Sequence, residues 1–201
     1  MTKSKWIKIL ASIGIIFLIV FVVIPPFTRK WYKNHSVIYA PPAPVSNWKK
    51  FTSDEGKFSV WFPGTPVQTN QFVTNAIVTA EEHLFYVNPD IQDSYVVGYC
   101  DNEKFDDAIK NGKAQKFLET SESLVVNEAD GKVLFEHETT FENFPSREFE
   151  YKAGEKANYS VRVKYIMVGQ RVYSVMAVFL AGNPYPEDRE TFFNSFSLQK
   201  N

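Results

Sequence analysis

The feature that most constrains this chain is a 20-residue stretch with no charge at all, Ile9 to Thr28, bounded by Lys8 and Arg29. Ile, Leu, Val and Phe dominate it. At ~1.5 Å per residue a helix of ~20 residues spans about 30 Å, the thickness of a bilayer's hydrocarbon core. Trp6 precedes the run and Trp31 and Tyr32 follow it, which places amphipathic rings at both interfaces. Pro25 and Pro26 would stop or kink such a helix near its outer end. The competing reading is a cleaved signal peptide, for which Lys3, Lys5 and Lys8 supply the basic leader. The run is longer than the usual ~7–15-residue apolar core of such peptides, and no A-x-A site follows closely. The sequence therefore predicts a basic leader over 1–8 and an uncleaved single-pass helix over 9–28, with the lipid bilayer as its partner. Basic residues flank the run nearly equally. The free amino terminus tips the balance toward a cytoplasmic N-terminus, with the remainder on the periplasmic or extracellular side of the cell membrane.

Residues 29–45 read as a linker, basic at first (Arg29, Lys30, Lys33) and then proline-rich through Tyr39-Ala40-Pro41-Pro42-Ala43-Pro44. Three prolines in four positions favour an extended, semi-rigid spacer. Six of the 22 basic residues lie within residues 1–45, which leaves 16 against all 23 acidic ones in a globular domain over 46–201. An acidic domain is a poor match for a phosphate backbone, which argues against nucleic acid as a partner. The chain has 18 Phe, 10 Tyr and 4 Trp, enough apolar surface to offset the ordering entropy that keeps polar chains disordered. Cys100 is the only cysteine, which excludes an internal disulfide framework and a four-cysteine zinc site.

Strand signals dominate the domain. Asp54-Glu55-Gly56 separates Trp48–Thr52 from Phe58–Phe62, predicting a hairpin with Gly56 at the positive-φ position. Phe58, Val60 and Phe62 share one face of the second strand. Gln71–Ala80, Glu82–Val87 and Ser94–Cys100 follow as extended pieces. Asp101 is placed to cap one helix running through Phe105, Ile109, Ala114, Phe117 and Leu118, weakened at Gly112. From Leu124 the pattern returns to strands, with a turn at Ala129-Asp130-Gly131 before Val133–Phe141, then Arg147–Tyr151 and a loop at 153–157. Ser160–Val168 alternates with Val161, Val163, Tyr165 and Met167 on one face. Gly169-Gln170 is a two-residue turn, and Val172–Leu180, apolar on both faces, is a central strand. Pro186 opens a last helix with Glu187, Asp188 and Glu190 in its first turn. The sum is an α+β domain, a mainly antiparallel sheet with two helices.

Three stretches resemble a known group. Phe58-Ser59-Val60-Trp61-Phe62-Pro63-Gly64-Thr65-Pro66 is similar to the opening of PsbP-like domains, which share a fold with the Ran-binding Mog proteins and the bacterial DcrB lipoproteins. Phe144-Pro145-Ser146-Arg147-Glu148-Phe149-Glu150 resembles the Pro-Gly-Arg-Glu turn and strand of anchored bacterial members, with Ser146 in place of that Gly. Val168-Gly169-Gln170-Arg171-Val172-Tyr173 through Phe192-Phe193-Asn194-Ser195-Phe196 resembles the closing hairpin and helix. The resemblance spans about residues 48–198. It implies an α/β/α sandwich around the antiparallel sheet and a role as an accessory or partner-binding module. It implies no activity and carries over no site residue.

Four groups of residues carry side chains suited to chemistry. His137 sits in an alternating stretch that places it with Val133, Phe135 and Phe141, so a half-buried ring bonded to a backbone carbonyl is favoured over a metal ligand or base. In Glu81-Glu82-His83 only Glu81 and His83 share a strand face, whereas a transition-metal site needs three or four converging ligands. A metal or enzymatic site would have to bring His83, His137 and carboxylates together. Cys100 lies beside Asp101 and Glu103, which favours an inert buried thiol over a nucleophile. Asp101, Glu103, Asp106 and Asp107 are read as helix-capping charges, since the spacing of a calcium loop is absent. Asn34-His35-Ser36 and Asn158-Tyr159-Ser160 fit the glycosylation pattern by chance. No catalytic, cofactor-binding or metal-binding residue is assigned and no cofactor is expected. The chain is read as a non-enzymatic, single-pass accessory or partner-binding module of the cell envelope with an unidentified protein partner. Alternatives are a structural subunit of an envelope complex and a metal protein or enzyme built on His83 and His137.

Overall fold

The computed structural model describes residues 45–75, 77–89, 93–153, 159–180 and 186–199. The expected helix over 9–28, the linker up to residue 44, Asn34 and Asn158 lie outside the described residues. Among the described residues no helix is long and apolar enough to cross a membrane.

A 3-10 turn, Val45–Asn47, leads into the hairpin β1 (Lys49–Ser53) and β2 (Phe58–Phe62). Three antiparallel strands follow: β3 (Val67–Thr74), β4 (Thr79–Val87) and β5 (Ser94–Asp101). Two helices, α1 (Glu103–Lys110) and α2 (Ala114–Glu128), carry the chain across to β6 (Lys132–Phe141). From there β7 (Phe144–Ala153), β8 (Tyr159–Val168) and β9 (Arg171–Leu180) return as a meander that ends beside β5. Helix α3 (Pro186–Ser195) and a short β10 (Ser197–Leu198) close the domain. The result is a seven-stranded sheet in the order β3-β4-β5-β9-β8-β7-β6 and a three-stranded sheet in the order β1-β2-β10. Every strand pairing among the described residues is antiparallel.

Strand β9 is the middle strand of seven, which is why it reads as apolar on both faces. One face packs under α1 and α2 through Phe105, Leu118, Val125, Phe149, Val163 and Met176. The other packs through Tyr95, Val97, Val175, Phe192 and Phe193 against the small sheet and α3. The expected α/β/α sandwich is thus corrected on one side, where the covering layer is a three-stranded sheet together with a single helix. Phe58, Val60 and Phe62 alternate inward from β2, and so a strand rather than a helix presents that apolar row.

Five local expectations are corrected. In the β1–β2 turn the positive φ falls on Lys57 at 56°, not on Gly56. Gly56 is there for space, since an added Cβ would lie 2.7 Å from the Phe58 ring and 2.8 Å from Ser53 Oγ. The single helix expected after residue 101 is two helices, parted at Gly112 with φ 66°. Its cap is Asn102, whose side chain accepts from Lys104 N at 3.1 Å, while Asp101 pairs with Arg171. Helix α2 continues through Leu124 to Glu128, because burial of Val125 and Val126 against the sheet outweighs their β-branched preference. The extended piece expected over 71–80 is broken at Asn75, whose side-chain oxygen accepts from Ile77 N and Val78 N and makes the turn between β3 and β4.

Candidate functional site

His83, His137, Cys100 and the acidic residues 101–107 do not converge on one site among the described residues. His83 lies on β4 and His137 on β6, five strand spacings apart in the seven-stranded sheet, about 24 Å at ~4.8 Å per spacing. Among the described residues no three His, Cys, Asp or Glu side chains are grouped to hold a metal ion. His83 stacks on Tyr99 with ring centroids 4.6 Å apart, and the Arg171 guanidinium covers the same ring at 4.2 Å. Arg171 also grips Asp101 through Nε at 2.7 Å and Nη2 at 2.6 Å, so two members of the sequence's acidic and histidine groups serve one packed cluster. Cys100 is buried, and burial together with the nearby Glu82 and Asp101 charges pushes its thiol far above the ordinary range. Asp106 pairs with Lys110 on the outside of α1.

His137 differs from the expectation, and the cause is a bulge. The register of β6 on β7 slips between Val133 and Phe135, with Val133 opposite Tyr151 and Phe135 opposite Glu150. Val133 therefore shares the α2 side of the sheet with Tyr151, while Phe135 and His137 face the α3 side. The alternation that put all three on one buried face is broken. His137 is exposed and stacks on Phe135 at 5.9 Å.

Beneath α2 lies a polar network that the sequence did not single out. Arg147, 6% exposed, donates from Nε to Glu122 on α2 and from Nη2 to Glu136 on β6 at 2.7 Å. Burial raises Glu122 to about 7, and the hydrogen bond with Glu122, together with the Arg147 charge, holds Glu136 below the ordinary carboxylate range. A second network lies on the opposite face. Arg162 donates to Glu148 at 2.7 Å and to Glu190 of α3 at 2.5 Å, with its guanidinium 4.8 Å from the Phe193 ring centre and 5.7 Å from that of Phe135. Glu82, 1% exposed, accepts from Gln71 Nε2 at 2.8 Å, and burial pushes its carboxyl up to about 8. It lines a cavity of about 40 Å³ with Phe105, Phe117, Val125 and Val172, room for a few waters at ~10–15 Å³ each. An alternation of Arg147 with Phe149 and Tyr151 was the one sequence signal that could have marked a buried arginine.

The two networks meet at β6, the outer strand of the seven-stranded sheet. No strand pairs with its free side among the described residues. All seven residues Lys132–Glu138 are exposed, and Val133, Leu134 and Phe135 form an apolar run at 37%, 53% and 36% exposure. An open edge of this kind is a template for strand addition, and the bulge with Glu136 and Glu138 limits which strands can pair. The other edge, β3, carries Phe72 at 77% exposure among polar residues and has no charge of its own.

The solution structure of cyanobacterial PsbP (CyanoP) from Synechocystis sp. PCC 6803 superposes with a TM-score of 0.55 at 10% identity, covering 83% of this chain and 99% of that one. The fold is PsbP-like. A protein of unknown function from Pseudomonas aeruginosa, described as a putative regulator, matches at TM-score 0.40 and 12% identity over 72% of this chain and 90% of that one. A Bacteroides thetaiotaomicron structure matches at 0.36 and 16% over 77% and 50%. No protein-family model and no curated protein matches the chain. At these identities the likeness concerns the PsbP-like fold alone and assigns no chemistry.

Proposed function

We propose that this chain is a non-enzymatic accessory module, held at the cell membrane by residues 9–28 with its PsbP-like domain on the outer side, and that it binds a protein partner along β6. The observation that carries the reading is the exposed apolar run Val133-Leu134-Phe135 on β6, whose outer side no strand among the described residues pairs. Surface apolar residues scattered singly are ordinary, but three in a row on a strand edge are a liability unless covered. The partner is an extended segment with apolar residues flanked by basic ones. Main-chain bonds to β6 supply affinity, and Glu136 and Glu138, both exposed beside the run, select the charge. The 16-to-23 balance of basic to acidic residues beyond position 45 steers such a segment toward the domain.

The test places a photo-crosslinking residue at Leu134 of the full chain in its native membranes, with Glu119 on the outer side of α2 as the control position. One discrete adduct heavier than the 23.1-kDa chain is expected from position 134, absent from 119 and lost in Phe135→Lys. Equal adducts from both positions, no adduct, or an adduct of twice the chain's own mass refutes the reading.

A further inference from the structure

A groove of about 770 Å³ runs between α3 and β2, lined by Val45, Trp61, Pro186, Glu190, Asn194 and Ser195. Trp61 is the one large residue of β2 that points away from the core, at 41% exposure. It is held in place, for Ser195 Oγ accepts from Trp61 N at 2.9 Å and in turn donates to Phe192 O at 2.8 Å. Val45 forms part of the wall and is fixed there, because its carbonyl accepts from Trp48 N at 3.0 Å and Trp48 packs edge-on against Tyr95 at 5.3 Å. The residues that immediately precede this wall are Tyr39-Ala40-Pro41-Pro42-Ala43-Pro44.

We propose that the segment 39–44 lies along this groove in extended polyproline form, with its prolines against the Trp61 ring, so that the tether docks onto the domain it carries. Three arguments support it. The chemistry matches, since a proline-rich strand is recognised by exposed aromatic rings and loses little entropy on binding. The lengths match, for six residues at ~3.1 Å cover about 19 Å and the ten residues of α3 at ~1.5 Å cover about 15 Å. The tether has no slack, because residue 44 is bonded directly to the wall residue Val45. Such a link gives an effective concentration of at least ~1 mM, enough to hold a contact of only about 4 kcal/mol. Docking would cut the free spacer from 29–44, about 50 Å when extended, to 29–38, about 30 Å. It would also fix which side of the domain faces the bilayer. The proposal does not depend on what binds β6.

The experiment uses the full chain in detergent micelles, with fluorinated tryptophan at all four positions and a nitroxide attached at Ala40→Cys. Cys100 is 4% exposed and does not compete for the label. The Trp61 fluorine line, assigned with Trp61→Phe, should be lost and should return on reduction of the nitroxide. Replacing Pro41, Pro42 and Pro44 together by Gly should keep that line visible in the presence of the label. A Trp61 line that the nitroxide leaves intact overturns the proposal. So does loss of the line when fluorinated, label-free chains are mixed with labelled, fluorine-free ones, since a second copy would then fill the groove. Loss of the line on adding a nitroxide lipid to label-free chains would assign the groove to the membrane instead and overturn it equally.

Discussion

Glu82→Gln is the most informative single change in the core. Glu82 is buried between β4 and the α1–α2 layer, its carboxylate oxygen accepts from Gln71 Nε2 at 2.8 Å, and its carboxyl sits at about 8 against an ordinary 4.5. Burial disfavours the charged form, so the folded protein keeps a proton that the unfolded chain releases. The native state then binds more protons than the unfolded one between pH 4.5 and 8. Stability is fully supported below about pH 4.5 and falls by about 1.4 kcal/mol per unit as pH rises toward 8, where the native carboxyl also ionises. Integrated from pH 5 to pH 8 with those two values, the loss is about 3–4 kcal/mol. Glutamine keeps the shape and an acceptor for Gln71 but cannot ionise. The variant should therefore lose about 3–4 kcal/mol less than the wild type across that range, and Glu122, which titrates near 7 in both proteins, cancels in the comparison. The assay is urea unfolding of the fragment 45–201, which contains both core clusters, followed by circular dichroism at pH 5, 6, 7 and 8. Parallel pH profiles within about 1 kcal/mol would refute a neutral, buried Glu82.

Arg147→Met leaves Glu122 buried without its partner, and breaking a pair of this kind costs about 3–5 kcal/mol. The cost should shrink as pH falls from 8 to 5, because Glu122 can then take up a proton; a pH-independent loss in urea titrations would argue that the network is only packing. Lys57→Gly relieves a left-handed non-glycine residue at φ 56° and should raise stability by up to about 1 kcal/mol, read as an increase of a few degrees in melting temperature. A decrease would show that the Lys57 side chain contributes more than its backbone costs.

What was legible in the sequence was what depends on near neighbours. The alternation of Phe58, Val60 and Phe62 placed β2 correctly, and the run of Val161, Val163, Tyr165 and Met167 did the same for β8, because side chains alternate with a period of two wherever pairing is regular. Gly169 has the positive φ of 56° that a two-residue turn needs, and Pro186 opens α3 where its missing N–H costs nothing. The central place of β9 followed from its apolar residues on both faces.

The misreadings arose where distant partners decide. Val125 and Val126 are β-branched and read as strand, yet the sheet beneath them makes a helix the better burial. The bulge in β6 turned the Phe135–His137 face over, and nothing in the residues themselves signals a register slip. Nothing in Glu81-Glu82-His83 marks Glu82 as interior, and only its pairing opposite Cys100 under a helix layer buries it. The same holds for Arg147, whose two carboxylate partners lie 25 and 11 residues away. The sequence alone determined the uncharged run, the proline-rich stretch 39–44, the faces of β2 and β8 and the turn at Gly169, because each rests on residues a few positions apart. The tertiary structure alone decided which carboxylates are buried and which edge is open among the described residues, because burial and pairing are properties of residues that meet only in the fold.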